Sequence, residues 1–357
     1  MARIATNKNL QKAKSAKNDE FYTRLSDIER ELNHYKPHFS GKTVFCNCDD
    51  PRVSNFFHYF SYNFEKFGLK KLITTCYKNQ NPELFSRHDT EKAIYLEYEG
   101  DKKGNNIPDP EEIGIKHLKG DGDFRSKECI ELLKQSDIVV TNPPFSLFRE
   151  YVSQLVGYGK KFLIVGTWNA ITYKEIFKLI KEDKIWIGVN SNRNFSGFVV
   201  PKHYPLDGTE ARIDENGNRI ISTNNTCWFT NLDIAKRHED LILYKTYNET
   251  EYPKYSNYDA INVNKTQDIP IDYDGYMGVP ITFMNKYNPD QFEIFGIDRV
   301  LVEEISGKVS RFRINEKEIY ARIVIKNKKA INRWTSNSEK SQSENLQRDI
   351  WTTPKAE

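Results

Sequence analysis

The chain has 357 residues, with 53 Lys plus Arg against 50 Asp plus Glu and a formal net charge of +3. That length fits about two domains around a sizeable core, and nothing in the composition demands a fibrous or disordered class. So small a net charge does not announce a nucleic-acid partner, and the placement of the charges matters more than their sum.

In chain order, residues 1–25 read as a basic arm. Arg3, Lys8, Lys12, Lys14 and Lys17 occur there before any acid, a pattern that suits either phosphate contact or a solvated terminus. Ser26-Asp27-Ile28-Glu29 reads as a capping box opening a helix with Ile28, Leu32 and Tyr35 on one face. A strand is expected at Thr43 to Cys46. Val53, Phe56, Phe57, Phe60, Phe64 and Phe67 then form a helical aromatic stripe closed by Gly68, a core face rather than a base-stacking platform. Further strands are expected at Leu72 to Tyr77, Ala93 to Tyr98, Asp137 to Thr141, Phe162 to Val165 and Ile185 to Val189. Helical segments carrying Ile130, Leu132 and Leu133, and later Ile176, Phe177 and Ile180 within Thr172 to Lys181, alternate with these strands. Short apolar strands separated by helices predict an α/β fold with a doubly wound, mostly parallel sheet over residues 26–245.

The second half is less regular. Ala211 to Glu215 and Asn218 to Ser222 flank Asn216-Gly217, a strong hairpin signal. Such a hairpin either enters a DNA groove or only closes the catalytic sheet. Residues 248–278 are rich in Tyr, Asn and Asp with little periodicity and read as extended loops, lying on DNA or linking domains. Asn288-Pro289-Asp290-Gln291 carries a cap, a proline and a capping-box partner, so a new element is expected to start there. From Lys308 to Arg333 nine Lys or Arg face only Glu316 and Glu318. Arg311 and Arg313 alternate with Phe312 and Ile314, which on a strand sets two guanidiniums on one face, suited to phosphates or guanine edges. Residues 246–333 are therefore expected to form a smaller C-terminal α+β module that recognises DNA, and 334–357 a polar tail.

Cys46, Cys48, Cys76, Cys129 and Cys227 form no CxxC pair and no disulfide framework, which fits reduced, buried thiols. No cluster at zinc-ligand spacing accompanies Cys46 and Cys48, so no metal is expected. Without an early apolar signal region or an apolar span of about 18 residues, the expectation is a soluble, cytoplasmic protein with no membrane partner.

In doubly wound sheets, ligands bind beyond the carboxyl ends of the strands. There the chain places Asn47, Cys48, Asp49 and Asp50, then Gly120 to Phe124 with Asp121 and Asp123, then Asn142, Pro143, Pro144 and Phe145. Carboxylates and an aromatic edge suit a cofactor with a cationic amino-acid end and an adenine amine, and S-adenosylmethionine fits that description. Helix capping and an ordinary turn explain either acidic cluster equally well.

Asn142 to Phe145 suggests methylation of an amine. A base amino nitrogen conjugated into its ring is a poor nucleophile until acceptors hold its NH groups. The Asn142 side-chain oxygen and the Pro143 carbonyl supply two acceptors, and neither proline has a backbone donor to compete. Phe145 offers a flat face to a base lifted out of its stack. An isolated Asn-Pro turn ending a buried strand is the plainer reading, and context must decide.

Four motifs in order supply that context. They are Lys17-Asn18-Asp19-Glu20-Phe21-Tyr22-Thr23, then Cys46-Asn47-Cys48-Asp49-Asp50-Pro51-Arg52-Val53-Ser54-Asn55-Phe56, then Asn142 to Phe145, and finally Val279-Pro280-Ile281-Thr282-Phe283 leading to Lys286-Tyr287-Asn288-Pro289. Over most of its length the chain resembles the EcoRI-type adenine-specific DNA methyltransferases. The resemblance implies the class I S-adenosylmethionine-dependent fold and methyl transfer to the exocyclic amine of an adenine extruded from double-stranded DNA. It places Tyr22 and Thr23 near the methionine end of the cofactor and assigns cofactor contacts to Asn47, Cys48, Asp49, Asp50, Asp121, Asp123, Phe124 and Asn142. DNA contacts are expected from Lys12, Lys14, Lys17, Arg311 and Arg313. A monomer is expected, with a restriction endonuclease of the same site as partner, or none if the methylase is an orphan. The chain departs from the wider methyltransferase pattern twice. Cys46 to Val53 holds no glycine, and the Leu72 to Tyr77 strand ends on Thr75, Cys76 and Tyr77 where an acidic ribose ligand is common, so no ribose ligand is assigned.

Two rival functions remain open on sequence: methylation of a protein glutamine amide, and a nucleic-acid-binding module that has lost the reaction. The basic C-terminal module weighs against the first, and the intact Asn142 to Phe145 against the second.

Overall fold

The computed structural model describes residues 22–48, 54–76, 93–104, 108, 113–191, 195–200, 206, 211–221 and 225–331. The chain divides into two compact units, Met1–Ile234 and Ala235–Glu357.

The first unit is built on an eight-stranded sheet. Its core is four parallel strands, β2 (Thr43–Asn47), β3 (Lys71–Thr75), β6 (Ile138–Thr141) and β7 (Lys161–Thr167), in the order β3-β2-β6-β7. All of β2 and β6 is buried, which is why these strands are continuous apolar runs instead of alternating ones. Antiparallel β4 (Ile94–Tyr98) and then β5 (Ile115–His117) extend the β3 side. On the other side β12 (Thr226–Thr230) inserts antiparallel between β7 and β8 (Trp186–Ser191). The sheet is thus mostly parallel at its centre and mixed at its flanks.

Helices α2 (Asn55–Tyr62) and α3 (Phe64–Phe67) carry the aromatic stripe into the core, with α2 against β3. Phe39 meets Phe60 edge-on with ring centroids 5.1 Å apart, and Phe64 meets Tyr98 at 5.0 Å. Gly68 closes α3 in the left-handed conformation at φ 60°. Helix α4 (Lys127–Gln135) precedes β6, α5 (Phe148–Gly157) links β6 to β7, and α6 (Lys174–Lys181) precedes β8 with Ile176, Phe177 and Ile180 buried.

Helix α1 (Leu25–Leu32) corrects one expectation. The capping box at Ser26 does not form, because the helix starts earlier, with extended Arg24 as its cap and no side-chain cap bond. Asp27 is drawn elsewhere: its carboxylate accepts the Ser196 backbone N–H and, at 2.8 Å, the Ser196 hydroxyl, while burial pushes its pKa up. Glu31, fully buried, keys the same helix to β8. It accepts from the backbone N–H of Val189 (2.8 Å) and Asn190 (2.7 Å), the Asn190 amide and the Tyr35 hydroxyl. Four donors satisfy the carboxylate, yet burial still shifts its pKa upward. Gly188 makes the approach feasible, since a Cβ there would overlap Glu31 Oε1.

A second, four-stranded sheet runs β1 (Tyr22–Thr23), β9 (Phe198–Val199), β11 (Arg219–Ile221), β10 (Arg212–Ile213). The Asn216-Gly217 hairpin is β10–β11, its turn held by the Asp214 carboxylate accepting the backbone N–H groups of Asn216 and Asn218. The hairpin therefore does not close the large sheet; it joins Tyr22 and Thr23 in a small one.

The second unit has a sheet ordered β13 (Ile261–Asn262), β14 (Met277–Pro280), β18 (Arg322–Asn327), β15 (Phe292–Ile297), with α7 (Asp298–Ser306) on β15 and β18. Asn288 caps a turn rather than a helix: its Oδ1 accepts the Asp290 N–H and the chain enters β15. In the segment 248–278 Tyr252 and Tyr255 are buried, and Tyr255 stacks on Phe312 at 4.5 Å. No helix among the described residues is long and apolar enough to cross a membrane.

Candidate active site

Because β3 and β6 lie on opposite sides of β2, the chain leaves β2 in one direction and returns in the other, and in doubly wound sheets the carboxyl ends at such a switch point are where ligands bind. Asn47 ends β2 and Asn142 follows β6. Their strands are tied at this edge, since the Thr141 hydroxyl donates to the Asn47 carbonyl oxygen. The Tyr151 hydroxyl on α5 donates to Asn47 Oδ1. Tyr151 is fully buried, and that burial, followed by the proximity of Cys48, pushes its pKa well above the ordinary phenol value. It is a fixed donor that orients Asn47. Cys48 turns the chain at φ 80° without a glycine, so the sharp exit from β2 is made by a half-buried cysteine in the left-handed region. Asp49 and Asp50 lie outside the described residues.

The turn at Asp121 to Phe124 reaches the same edge through a close approach. Gly122 has φ 81°, and a Cβ on it would overlap the carbonyl oxygen of Cys76, just past β3. The Asp121 carboxylate accepts the Asp123 N–H at 3.0 Å. Arg125 grips Asp123 from its Nε (2.9 Å) and Nη2 (2.6 Å), and this hydrogen bonding holds the Asp123 carboxyl below its usual range. Phe124 packs edge-on to Tyr151 at 5.0 Å, its carbonyl accepting from Gln154 Nε2 at 3.0 Å. One helix, α5, thereby braces both Asn47 and Phe124.

Asn142 and Pro143 are buried, with Asn142 7% exposed, and Pro144 and Phe145 are half-buried. The Pro144 carbonyl accepts the Leu147 N–H at 3.0 Å, starting a 3₁₀ turn at Phe145–Leu147 that leads into α5. Phe145 meets Phe198 of β9 edge-on at 6.2 Å, and Phe198 pairs with Thr23 of β1. The small sheet thus carries Tyr22 and Thr23 toward the Asn142 turn. Asn55 Nδ2 donates to the Thr23 carbonyl at 2.8 Å and anchors the strand to α2.

The structure brings together Tyr22, Thr23, Asn47, Cys48, Asp121, Asp123, Phe124 and Asn142 to Phe145 by these contacts. Lys12, Lys14 and Lys17 lie outside the described residues. Arg311 and Arg313 belong to the second unit, where the expected strand through both is cut short. Asn257 takes the carbonyl of Arg311 and the N–H of Arg313, and Ser256 takes the Arg313 carbonyl, so the ladder begins only at β16 (Arg313–Ile314), paired with β17 (Lys317–Glu318). Arg313 lies 3.8 Å from Glu318.

Sequence reasoning missed Tyr151, Gln154 and Arg125, whose work is to hold other residues, because helical periodicity shows which face is inward but not what a polar tip touches. It also passed over Trp168, which follows β7 at this edge. Its indole Nε1 is buried and has no hydrogen-bond partner among the described residues. The signal was available, since Trp168 directly follows an apolar strand just as Asn47 and Asn142 mark the ends of theirs.

None of the five cysteines is in a disulfide, and four are buried. No group of metal-binding side chains occurs among the described residues.

With this geometry established, comparison with known proteins decides the family. The model of the family described as adenine-specific methyltransferase EcoRI matches residues 9–328. The chain belongs to the EcoRI adenine-specific methyltransferase family. Within it, the chain is 59% identical over 332 residues to the type II methyltransferase M.EcoRI of Escherichia coli, covering 92% of this chain and 99% of that one. It is 39% identical over 334 residues to M.MgeORF184P of Mycoplasma genitalium (88% of this chain, 97% of that one). It is 41% identical over 287 residues to M.MpnI of Mycoplasma pneumoniae (79% and 83%). No solved structure matches the chain.

Proposed function

We propose that this protein is a site-specific DNA methyltransferase that methylates the N6 amine of an adenine extruded from double-stranded DNA, with S-adenosylmethionine as donor. The observation that carries the reading is the Asn142-Pro143-Pro144-Phe145 turn at the carboxyl end of β6, beside Asn47 and facing β9. The strand order, with antiparallel β12 inserted between β7 and β8, supports the class I methyltransferase fold.

The residues present fit the cofactor. Asp123, kept anionic by Arg125, suits a cationic or donor-bearing group, Phe124 offers an aromatic face, and the buried Thr23 hydroxyl has no hydrogen-bond partner among the described residues. Tyr22, Thr23, Asn47, Cys48, Asp121, Asp123 and Phe124 would hold it, together with Asn142 and with Asp49 and Asp50 of the same loop. When bound, S-adenosylmethionine supplies an electrophilic methyl group on a sulfonium.

The chain's own residues do the rest. Asn142 Oδ1 and the Pro143 carbonyl accept the two N–H bonds of the adenine amine and orient its lone pair. Phe145 stacks on the extruded ring and replaces part of the lost base stacking. Burial of Asn142 makes its dipole a stronger acceptor than it is in water. No general base of shifted pKa is needed, because orientation of two bound reactants supplies much of the acceleration and the released proton passes to water. Arg311 and Arg313, with Lys12, Lys14 and Lys17 of the arm, contribute phosphate contacts. The protein works as a monomer, and a restriction endonuclease acting on the same site is its expected counterpart. Tritiated methyl transfer into duplex DNA, followed by sequencing that maps methylated adenines to one motif, is the test. Label in protein instead of DNA overturns the reading.

A further inference from the structure

The fourth sequence motif, Val279 to Phe283 leading to Lys286, has no part in the chemistry just derived. It lines a cleft of about 490 Å³ in the second unit, walled by Leu241, Asn264, Lys265, Gln267, Thr282 and Lys286 among others. Lys265 and Lys286 are exposed, and neither has an acidic partner within ion-pair distance among the described residues.

Beneath the cleft a buried chain of hydrogen bonds sets the polarity of one wall. Asn262, 3% exposed, accepts on its Oδ1 from the Tyr255 hydroxyl at 3.0 Å and from Nε of Arg322 at 3.2 Å. With its oxygen so committed, its Nδ2 donates to Asn264 Oδ1 at 2.9 Å. The Asn264 oxygen is engaged from below, which leaves the Asn264 NH2 as the group available to a ligand. Gln291 fixes the neighbouring edge through two hydrogen bonds with Leu241, accepting its N–H at 2.6 Å and donating to its carbonyl at 2.8 Å. The wall is therefore rigid and rich in donors: two ammonium groups, an amide NH2 held in one orientation, and the Thr282 hydroxyl.

We propose that this cleft binds the phosphodiester backbone of the DNA substrate, with Lys265, Lys286 and Asn264 donating to phosphate oxygens. The proposal rests on the DNA reading above. A phosphate group accepts and never donates when ionised, so a donor-rich wall suits it, and ammonium groups lose little by exchanging water for phosphate. Lysine and amide donors to phosphate fix register on the duplex and carry no sequence information, so the cleft strengthens binding to all sequences alike.

The test is equilibrium binding of the full-length protein to two duplexes, one holding the methylated motif and one lacking it, across a salt series. For the double variant Lys265→Ala/Lys286→Ala, affinity for both duplexes should fall by a similar factor, about tenfold or more at low salt. The slope of log K against log salt should shrink by about 0.9 for each phosphate that the variant no longer neutralises. The KM for DNA should rise while kcat at saturating DNA and binding of S-adenosylmethionine stay at the parent value, a split that a general folding defect does not produce. Asn264→Asp keeps the acceptor for Asn262 but sets a carboxylate against the phosphate, and should weaken binding more than Asn264→Ala. Lys254→Ala removes a lysine already paired with Asp259 at 3.5 Å and serves as the control with an unchanged slope. Parent affinity and slope in the double variant overturn the cleft while leaving the methyltransferase reading intact. Weakening confined to the duplex with the motif overturns the phosphate assignment in favour of base reading. A parent protein that neither binds nor methylates duplex DNA overturns both readings.

Discussion

The carboxyl edge of the large sheet and the cleft of the second unit are polar surfaces of opposite sense. At the sheet edge the expressive atoms are acceptors, among them the Asn142 side chain, the Asn47 carbonyl and the Asp123 carboxylate, and Asn47 and Asn142 are largely buried. At the cleft they are donors on exposed side chains over a small mixed sheet. An amine to be polarised wants buried acceptors whose dipoles water does not screen, whereas a polyanion wants exposed cations that can release counterions. One chain can therefore assign turnover and grip to separate places, and substitutions should separate them too.

The largest expected effect is on the acceptor side. Asn142→Ala should lower kcat by about 10²–10³-fold, the scale of losing one preorganised polar group, with DNA affinity and its salt slope unchanged. Single-turnover methylation beside salt-dependent binding checks this, and a parent-like kcat breaks the contrast between the two surfaces. Next is the frame of that edge. Gly122→Ala forces a Cβ against the Cys76 carbonyl at φ 81°, for a cost of about 1–3 kcal/mol of local strain. Cofactor affinity by calorimetry should drop while the second unit's grip on DNA persists, and unchanged cofactor affinity would detach the 121–124 turn from the site.

Glu31→Gln replaces one of two acceptor oxygens with a donor facing the Asn190 or Val189 N–H groups. It should cost about 1–3 kcal/mol, read as a lower urea midpoint, with a small effect on kcat below the transition. The smallest effect concerns Asp123. Its pKa is lowered in the fold, so its contribution to stability is present above the usual value of 3.8 and is lost as pH falls through the depressed value. Arg125 is half exposed, which keeps the contribution small. Asp123→Asn should lower stability slightly and evenly above about pH 4 and converge with the parent at lower pH, and a deficit that widens as pH falls would contradict the assignment of the shift to Arg125.

Much of the sheet was legible because buried parallel strands advertise themselves as unbroken apolar runs: Ile138 to Thr141 and Phe162 to Val165 need no partner to be recognised. The Asn142 turn was legible for the same reason, since a polar cluster directly after such a run sits at a carboxyl end. What escaped were pairings between distant residues. Ser26 had the chemistry of a cap, but Asp27 met Ser196, a partner 169 positions away that no local pattern reveals. Tyr22 and Thr23 could be tied to the site by resemblance, yet the means, a strand laid on Phe198 and Val199, depends on a two-residue pairing too short to leave a period. Likewise Arg311 and Arg313 alternated as a strand should, until Asn257 claimed the backbone between them.

The bond from Tyr151 to Asn47 joins positions 104 residues apart, and the one from Thr141 to the same residue spans 94. Contacts of that reach form only after long segments of chain have been closed, so they come late in folding. A nascent chain that has not yet released α5 from the ribosome has β2 but nothing bracing Asn47 at its end. Methyl-donor capture should therefore appear abruptly during synthesis, after that helix has docked and β9 has emerged to hold Tyr22 and Thr23, rather than growing with chain length.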